Sequence, residues 1–150
     1  MWRIMLPPVL VLALGASGVS VAHADGRQAR ADVREGVEAQ RKTLVDLREQ
    51  GGFAGLDNRV RVFTDGCGQF SRRTGPIVSS CLTGKELRGL RTVLQKLKVG
   101  TSEPQPQGAD FLKYTLTYKG HRASRYTPPA TWQPVVRHLE KLLTKYGSHG

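Results

Sequence analysis

Hydrophobic periodicity switches three times along this chain between alternation and helical spacing, and that order leaves it few folds. The clearest alternation is Tyr114, Leu116 and Tyr118, separated by Thr115 and Thr117. A period of two with aromatic and β-branched residues describes a strand with one wet face. The same pattern runs through residues 43–49, where Val45 and Leu47 alternate with Asp46 and Arg48, and through 59–63, where Val60 and Val62 oppose Arg59 and Arg61. Between these stretches Leu87, Leu90, Leu94 and Leu97 recur at intervals of three and four. That stripe predicts an amphipathic helix. Thr83 and Glu86 supply a capping box at its start, and Gly100 is its expected stop. A second stripe, Trp132, Val135, Val136, Leu139, Leu142, Leu143 and Tyr146, predicts a terminal helix. Thr131 is its candidate cap, Pro134 falls where the first-turn amides have no intrahelical partners to lose, and Gly147 ends it. Strand pair, helix, strand pair, helix predicts an α+β fold: a small antiparallel sheet of about four strands packed against two amphipathic helices.

The breaks carry as much information as the repeats. Gly51, Gly52 and Gly55 interrupt the first alternation and permit backbone angles closed to other residues. Phe53 stands among them, and two roles suit it: a plug closing the end of the core, or an exposed tip that meets a partner. Asp65-Gly66 is a hairpin signal, with 67–70 as the returning arm. Gly75-Pro76 interrupts regular structure before Ile77 and Val78 lead to Cys81, and 103–108 is a polar connector. Lys119-Gly120 turns the last strand onto 121–127, which Pro128 and Pro129 end.

The first 24 residues read as a secretory signal peptide. Arg3 precedes a short apolar core from Val9 to Leu14, and Ala22-His23-Ala24 offers a small-x-small cleavage pattern. An uncleaved anchor is the alternative. The core is short for a membrane span, and no second apolar run or lipid-attachment cysteine accompanies it. Cleavage leaves Asp25 first and no segment suited to stable membrane insertion. Residues 25–42 are rich in charge and poor in hydrophobes, which suits a flexible lead; 43–147 form one α+β domain, and 148–150 a tail. An exported chain is extracellular or associated with the cell wall, an oxidising setting in which Cys67 and Cys81, its only cysteines, are expected to form a disulfide. A redox pair is the weaker alternative, because no CxxC motif exists.

The whole chain carries a formal charge of +11, and removing the signal peptide costs one arginine and no acid. So basic a domain favours anionic partners such as acidic cell-wall polymer, an acidic protein face or nucleic acid. Export argues against genomic DNA, and no specific nucleic-acid motif is present. Tyr114, Tyr118 and Tyr126 can stack bases if exposed, but the alternation groups Tyr114 and Tyr118 with Leu116, which favours the core. The basic residues around the first helix, Lys85, Arg88, Arg91, Lys96 and Lys98, fit a solvated face better than an anion site. Catalytic signatures are missing: no HExxH run, no zinc-spaced His/Cys set and no phosphate loop. The expectation is a protein that is not an enzyme and takes no cofactor or metal.

Val45-Asp46-Leu47 followed by Gly51-Gly52-Phe53-Ala54-Gly55-Leu56 resembles the opening strand and glycine–phenylalanine turn of the emfourin-like inhibitors of protealysin. The similarity continues through 59–63, the helix from Thr83, Asp110 to Tyr114, and the helix containing Pro134, Leu139 and Leu142. It spans 43–146 in pattern, with Gly51 to Gly55 as its sharp motif. The resemblance implies inhibition of a secreted thermolysin-like zinc metallopeptidase. Gly51, Gly52 and Gly55 would allow close backbone approach, Phe53 would enter an apolar pocket, and Asp57 would approach the enzyme's metal or a basic group. Glu49 and Gln50 depart from the basic residue and serine usual before the family's glycines. A non-catalytic module for anionic cell-surface polymer, or for another secreted protein, is the other reading. Export predicts that the chain recovered from culture medium begins at Asp25; intact-mass measurement checks this, and a retained Met1 on membranes would contradict it.

Overall fold

Residues 41–73, 75–108 and 110–147 are described in the computed structural model. The expected signal peptide, residues 25–40 of the expected lead and the expected tail at 148–150 lie outside them. The described residues form strands β1 (Thr43–Gly51), β2 (Leu56–Phe63), β3 (Cys67–Ser71) and β4 (Val78–Cys81), then helix α1 (Gly84–Gln95). Strands β5 (Leu112–Tyr118) and β6 (His121–Arg125) and helix α2 (Gln133–Tyr146) follow. The fold is α+β, with one antiparallel six-stranded sheet in the order β4-β3-β2-β1-β5-β6. β1 pairs with β2 on one side and with β5 on the other, so it joins the sheet's two halves.

Alternation sorts the side chains as expected. Val45 and Leu47 on β1, Val60 and Val62 on β2, Phe70 on β3, Leu116 on β5 and Ala123 on β6 share one buried cluster. Leu90 and Leu94 of α1 and Val135, Val136, Leu139, Leu142 and Leu143 of α2 complete it. Each such aliphatic side chain contributes about 1.5–3 kcal/mol by leaving water. Tyr114 and Tyr118 pack against this cluster, in line with the core reading. The opposite face of the sheet is charged. Register sets Arg48 directly across from Arg59, a repulsive pairing that each arginine escapes by turning to an acid. Arg48 grips Asp57 through Nε at 3.0 Å and Nη2 at 3.1 Å, and Arg59 grips Asp46 at 3.2 and 2.7 Å. Arg61 adds a third bond to Asp46 at 2.9 Å.

The capping box is present as read: Glu86 N–H donates to the Thr83 hydroxyl at 3.3 Å, and Thr83 N–H donates to the Glu86 carboxylate at 2.8 Å. Glu86 also accepts from Lys145 Nζ at 2.7 Å and the Tyr146 hydroxyl at 2.9 Å, tying the start of α1 to the end of α2.

Three expectations need correction, and a fourth, the disulfide, holds. The sheet has six strands rather than about four, because 67–71 and 78–81 both enter the ladder. Cys67 and Cys81 do form a disulfide, at 2.05 Å, and they stand directly opposite on β3 and β4. The bridge therefore staples two paired strands. Helix α1 ends at Gln95, well before Gly100. Lys96 and Leu97 N–H turn to the Val93 and Leu94 carbonyls three residues back, which tightens the last turn, and beyond it the buried indole of Trp132 donates to the Lys98 and Val99 carbonyls at 3.1 and 3.2 Å. The cap position of α2 is Trp132 rather than Thr131, with no side-chain cap bond, while Pro134 sits in the first turn as expected.

The loop closed by the bridge implies about 3 kcal/mol of stabilisation through restriction of the unfolded chain. Replacing both cysteines by serine is expected to lower unfolding stability by about 2–3 kcal/mol in denaturant titrations. An unchanged midpoint would show that the β3–β4 pairing stands without the bond.

Candidate functional site

The turn between β1 and β2 is built from backbone outward. Gly55 N–H donates to the Gly52 carbonyl at 2.9 Å, closing a four-residue turn with Phe53 and Ala54 at its tip. Gly51, Gly52 and Gly55 have φ values of +89°, +70° and +56°, the left-handed region that favours glycine. Gly51 is constrained twice, since a Cβ there would lie 2.7 Å from the Phe111 carbonyl oxygen. That same oxygen accepts from Gly52 N–H at 3.2 Å. The turn is thus held by the β1–β2 ladder on one flank and by the residue preceding β5 on the other.

Phe53 does not take the plug role: its side chain is 97% exposed, the most exposed of the described large hydrophobic residues. Phe111, 43% exposed, lies at the same end of the sheet and stands edge-on to Tyr126 at 6.2 Å. Gly51, Gly52, Phe53 and Gly55 are therefore brought together at one tip. Asp57 is displaced from it. It lies on the charged face of β2, where the Arg48 guanidinium holds its carboxyl below the usual range and occupies both oxygens.

On the opposite face, beneath the turn, the structure assembles a group that sequence spacing gave no means of finding. Glu49 is 94% buried, one carboxylate oxygen accepts from Asn58 Nδ2 at 3.1 Å, and the other is buried without a hydrogen-bond partner. Glu140 on α2 faces it. Burial raises the Glu140 pKa first, and the neighbouring Glu49 charge raises it further, against a lowering by Arg137. Two carboxyls in one partly buried space cannot readily both ionise, so a proton held on Glu140 lets them coexist. Burial, with the same two acids, also raises the Tyr114 pKa and keeps its hydroxyl neutral. Glu49 and Glu140 lie 91 positions apart in the sequence, and only the packing of α2 across β1 brings them together. The sequence does mark one member of the pair, since Glu49 falls in register with Val45 and Leu47 on the core face of β1.

No set of three or more His, Cys, Asp or Glu side chains able to hold a metal converges among the described residues. None of the helices described is long and apolar enough to cross a membrane. His138, expected on a helix, packs against Gly89 of α1, where an added Cβ would meet its ring at 3.1 Å. Comparison with models of known families, with curated proteins and with solved structures gives no match to this chain.

The two perturbed glutamates pull stability in opposite directions with pH. Glu140 keeps its proton in the folded chain at pH values where the unfolded chain has lost it, so folding weakens as pH rises above the ordinary carboxylate range. Burial works against ionisation of Glu86, but bonds from Lys145, Thr83 and Tyr146 prevail and hold its pKa at about 2. Its contribution is complete above the unfolded value of 4.5 and is lost as pH falls through about 2. Glu140→Gln is expected to raise stability at pH 7–8 by about 1 kcal/mol and flatten the alkaline side of the profile. Glu86→Gln is expected to lower stability near neutrality and flatten the acid side. Unfolding midpoints across pH check both, and a Glu140→Gln midpoint at or below that of the parent at pH 8 would contradict the pairing.

Proposed function

We propose that this protein inhibits a secreted thermolysin-like zinc metallopeptidase by seating the Gly51–Gly55 turn in the enzyme's substrate cleft. The observation that carries this reading is Phe53, presented fully to solvent on a turn whose two flanks are fixed. A large apolar side chain exposed alone at a rigid tip contributes nothing to its own fold and suits insertion into an apolar pocket. The resemblance of Val45 to Leu47 and Gly51 to Leu56 to the emfourin-like inhibitors supports the choice of enzyme class.

The mechanism is occlusion. The left-handed glycines leave the backbone without side chains at Gly51 and Gly52 before Phe53 and at Gly55 after Ala54, so an enzyme wall can approach it closely. The Gly52–Phe111 and Gly52–Gly55 hydrogen bonds order the turn before binding, which reduces the entropy lost on association. Asp57 serves here as a support: its pairing with Arg48 braces the β1–β2 hairpin beside the tip. This chain supplies no catalytic group, and the enzyme's own metal remains in place behind the blocked cleft.

Inhibition constants against a panel of purified secreted thermolysin-like peptidases test the proposal. The parent chain is expected to compete with peptide substrate. Phe53→Ala is expected to weaken inhibition by about 30-fold or more, equivalent to about 2 kcal/mol, while leaving fold stability within about 0.5 kcal/mol. Undiminished inhibition by Phe53→Ala would move the contact off the turn, and no inhibition by the parent across the panel would remove the activity.

A further inference from the structure

The far end of the sheet from Phe53 is also built in an unusual way. Tyr118 pairs with His121, so β5 and β6 are joined by the two residues Lys119 and Gly120. Both have positive φ, +50° and +80°. Such turns favour Asn-Gly or Asp-Gly, because a residue with a long side chain resists the left-handed region by roughly 1 kcal/mol. A lysine kept in that conformation directs attention to what its side chain does.

Lys119 lies between two depressions. One, of about 340 Å³, is lined by the end of α1 and the hairpin, including Lys98, Tyr118, Lys119 and His121. The other, of about 430 Å³, is lined by the start of β1 and the same hairpin, including Lys42, Tyr118 and Lys119. No carboxylate lines either depression. None of the salt bridges among the described residues engages Lys42, Lys98 or Lys119. The contrast with the charged sheet face is chemical as well as spatial. There the cations are arginines held to aspartates, two of them by paired hydrogen bonds; here they are lysines, compact point charges without an acid.

We infer that the β5–β6 hairpin end docks a linear phosphate-bearing polymer, with successive phosphates over the two depressions and Lys119 between them. Complementary charge supplies the attraction, and because both hollows share Tyr118 and Lys119 in their walls, a polymer can place phosphates in the two at once where a single small anion fills one. Rotatable ammonium donors suit phosphate oxygens, whereas planar carboxylates are better served by the arginine fork, and no arginine lines either depression. The nine residues of β1 separate this end from the glycine turn by about 30 Å. A chain held on such a polymer therefore keeps Phe53 clear of it. The inference does not rest on peptidase inhibition and survives if that reading fails.

Calorimetric titration of the full mature chain with inorganic polyphosphate, through a salt series, tests it, with poly-L-glutamate as the carboxylate arm. Polyphosphate is expected to bind, and amide shifts on binding are expected to centre on residues 118–121. Lys119→Asn is expected to weaken binding at least fivefold while leaving the fold as stable as the parent or more so. Lys85→Gln removes the same charge from the exposed start of α1, and it is expected to change binding less than twofold. Absence of polyphosphate binding, equal losses in the two variants, or equal or tighter binding of poly-L-glutamate would overturn the inference.

Discussion

β1 is the constraint on which the rest of the structure depends. Its hydrogen bonds to β2 and β5 are what make six strands one sheet, and Val45 and Leu47 place the centre of the core beneath both helices. A slip of one residue in its register would bring Asp46 and Arg48 into that core and expel Val45 and Leu47. The arginine–aspartate pairs on the other face fix the same register from outside, since Arg59 and Arg61 reach Asp46 only in the observed alignment. The two faces of one strand thus enforce a single pairing by different physics.

The end of β1 inherits that precision. Glu49 is the next residue in the row after Val45 and Leu47, so the register that builds the core also buries a carboxylate next to Glu140. Two residues later Gly51 comes so close to the Phe111 carbonyl that no other residue fits without displacement. The tip bearing Phe53 is therefore an extension of the most constrained strand in the molecule. Its rigidity comes from the sheet, and its exposure comes from the length by which the turn outruns the strands beside it.

Much of this was legible in the sequence where short-range physics decides. Thr83 and Glu86 announced the start of α1, because a capping box is closed by residues three apart. The alternation of Tyr114, Leu116 and Tyr118 marked β5, because a half-buried strand needs no other information. Legibility failed where the deciding partner lies far along the chain. Val78–Cys81 is short and only partly buried, and it becomes a strand through β3. Gly100 marked the end of α1 too late, and the segment beyond Gln95 is held instead by the Trp132 indole, which donates to the Lys98 and Val99 carbonyls from more than thirty residues away. Sequence left Phe53 between two roles, and its exposure in the folded chain removes only the core plug. Asp57 read as a free acid near a turn because its cross-strand partner, Arg48, is revealed by register alone.

The central claim is that a preformed tip, rather than another surface, fills the cleft of a zinc peptidase. The most direct test is competition. A susceptible enzyme would be saturated with a small zinc-chelating inhibitor confined to its active site, and binding of this chain would then be measured. Occlusion by the Phe53 turn predicts mutually exclusive binding, with apparent affinity falling in proportion to occupancy of the small inhibitor. A ternary complex, with this chain bound at undiminished affinity beside the small inhibitor, would contradict the account.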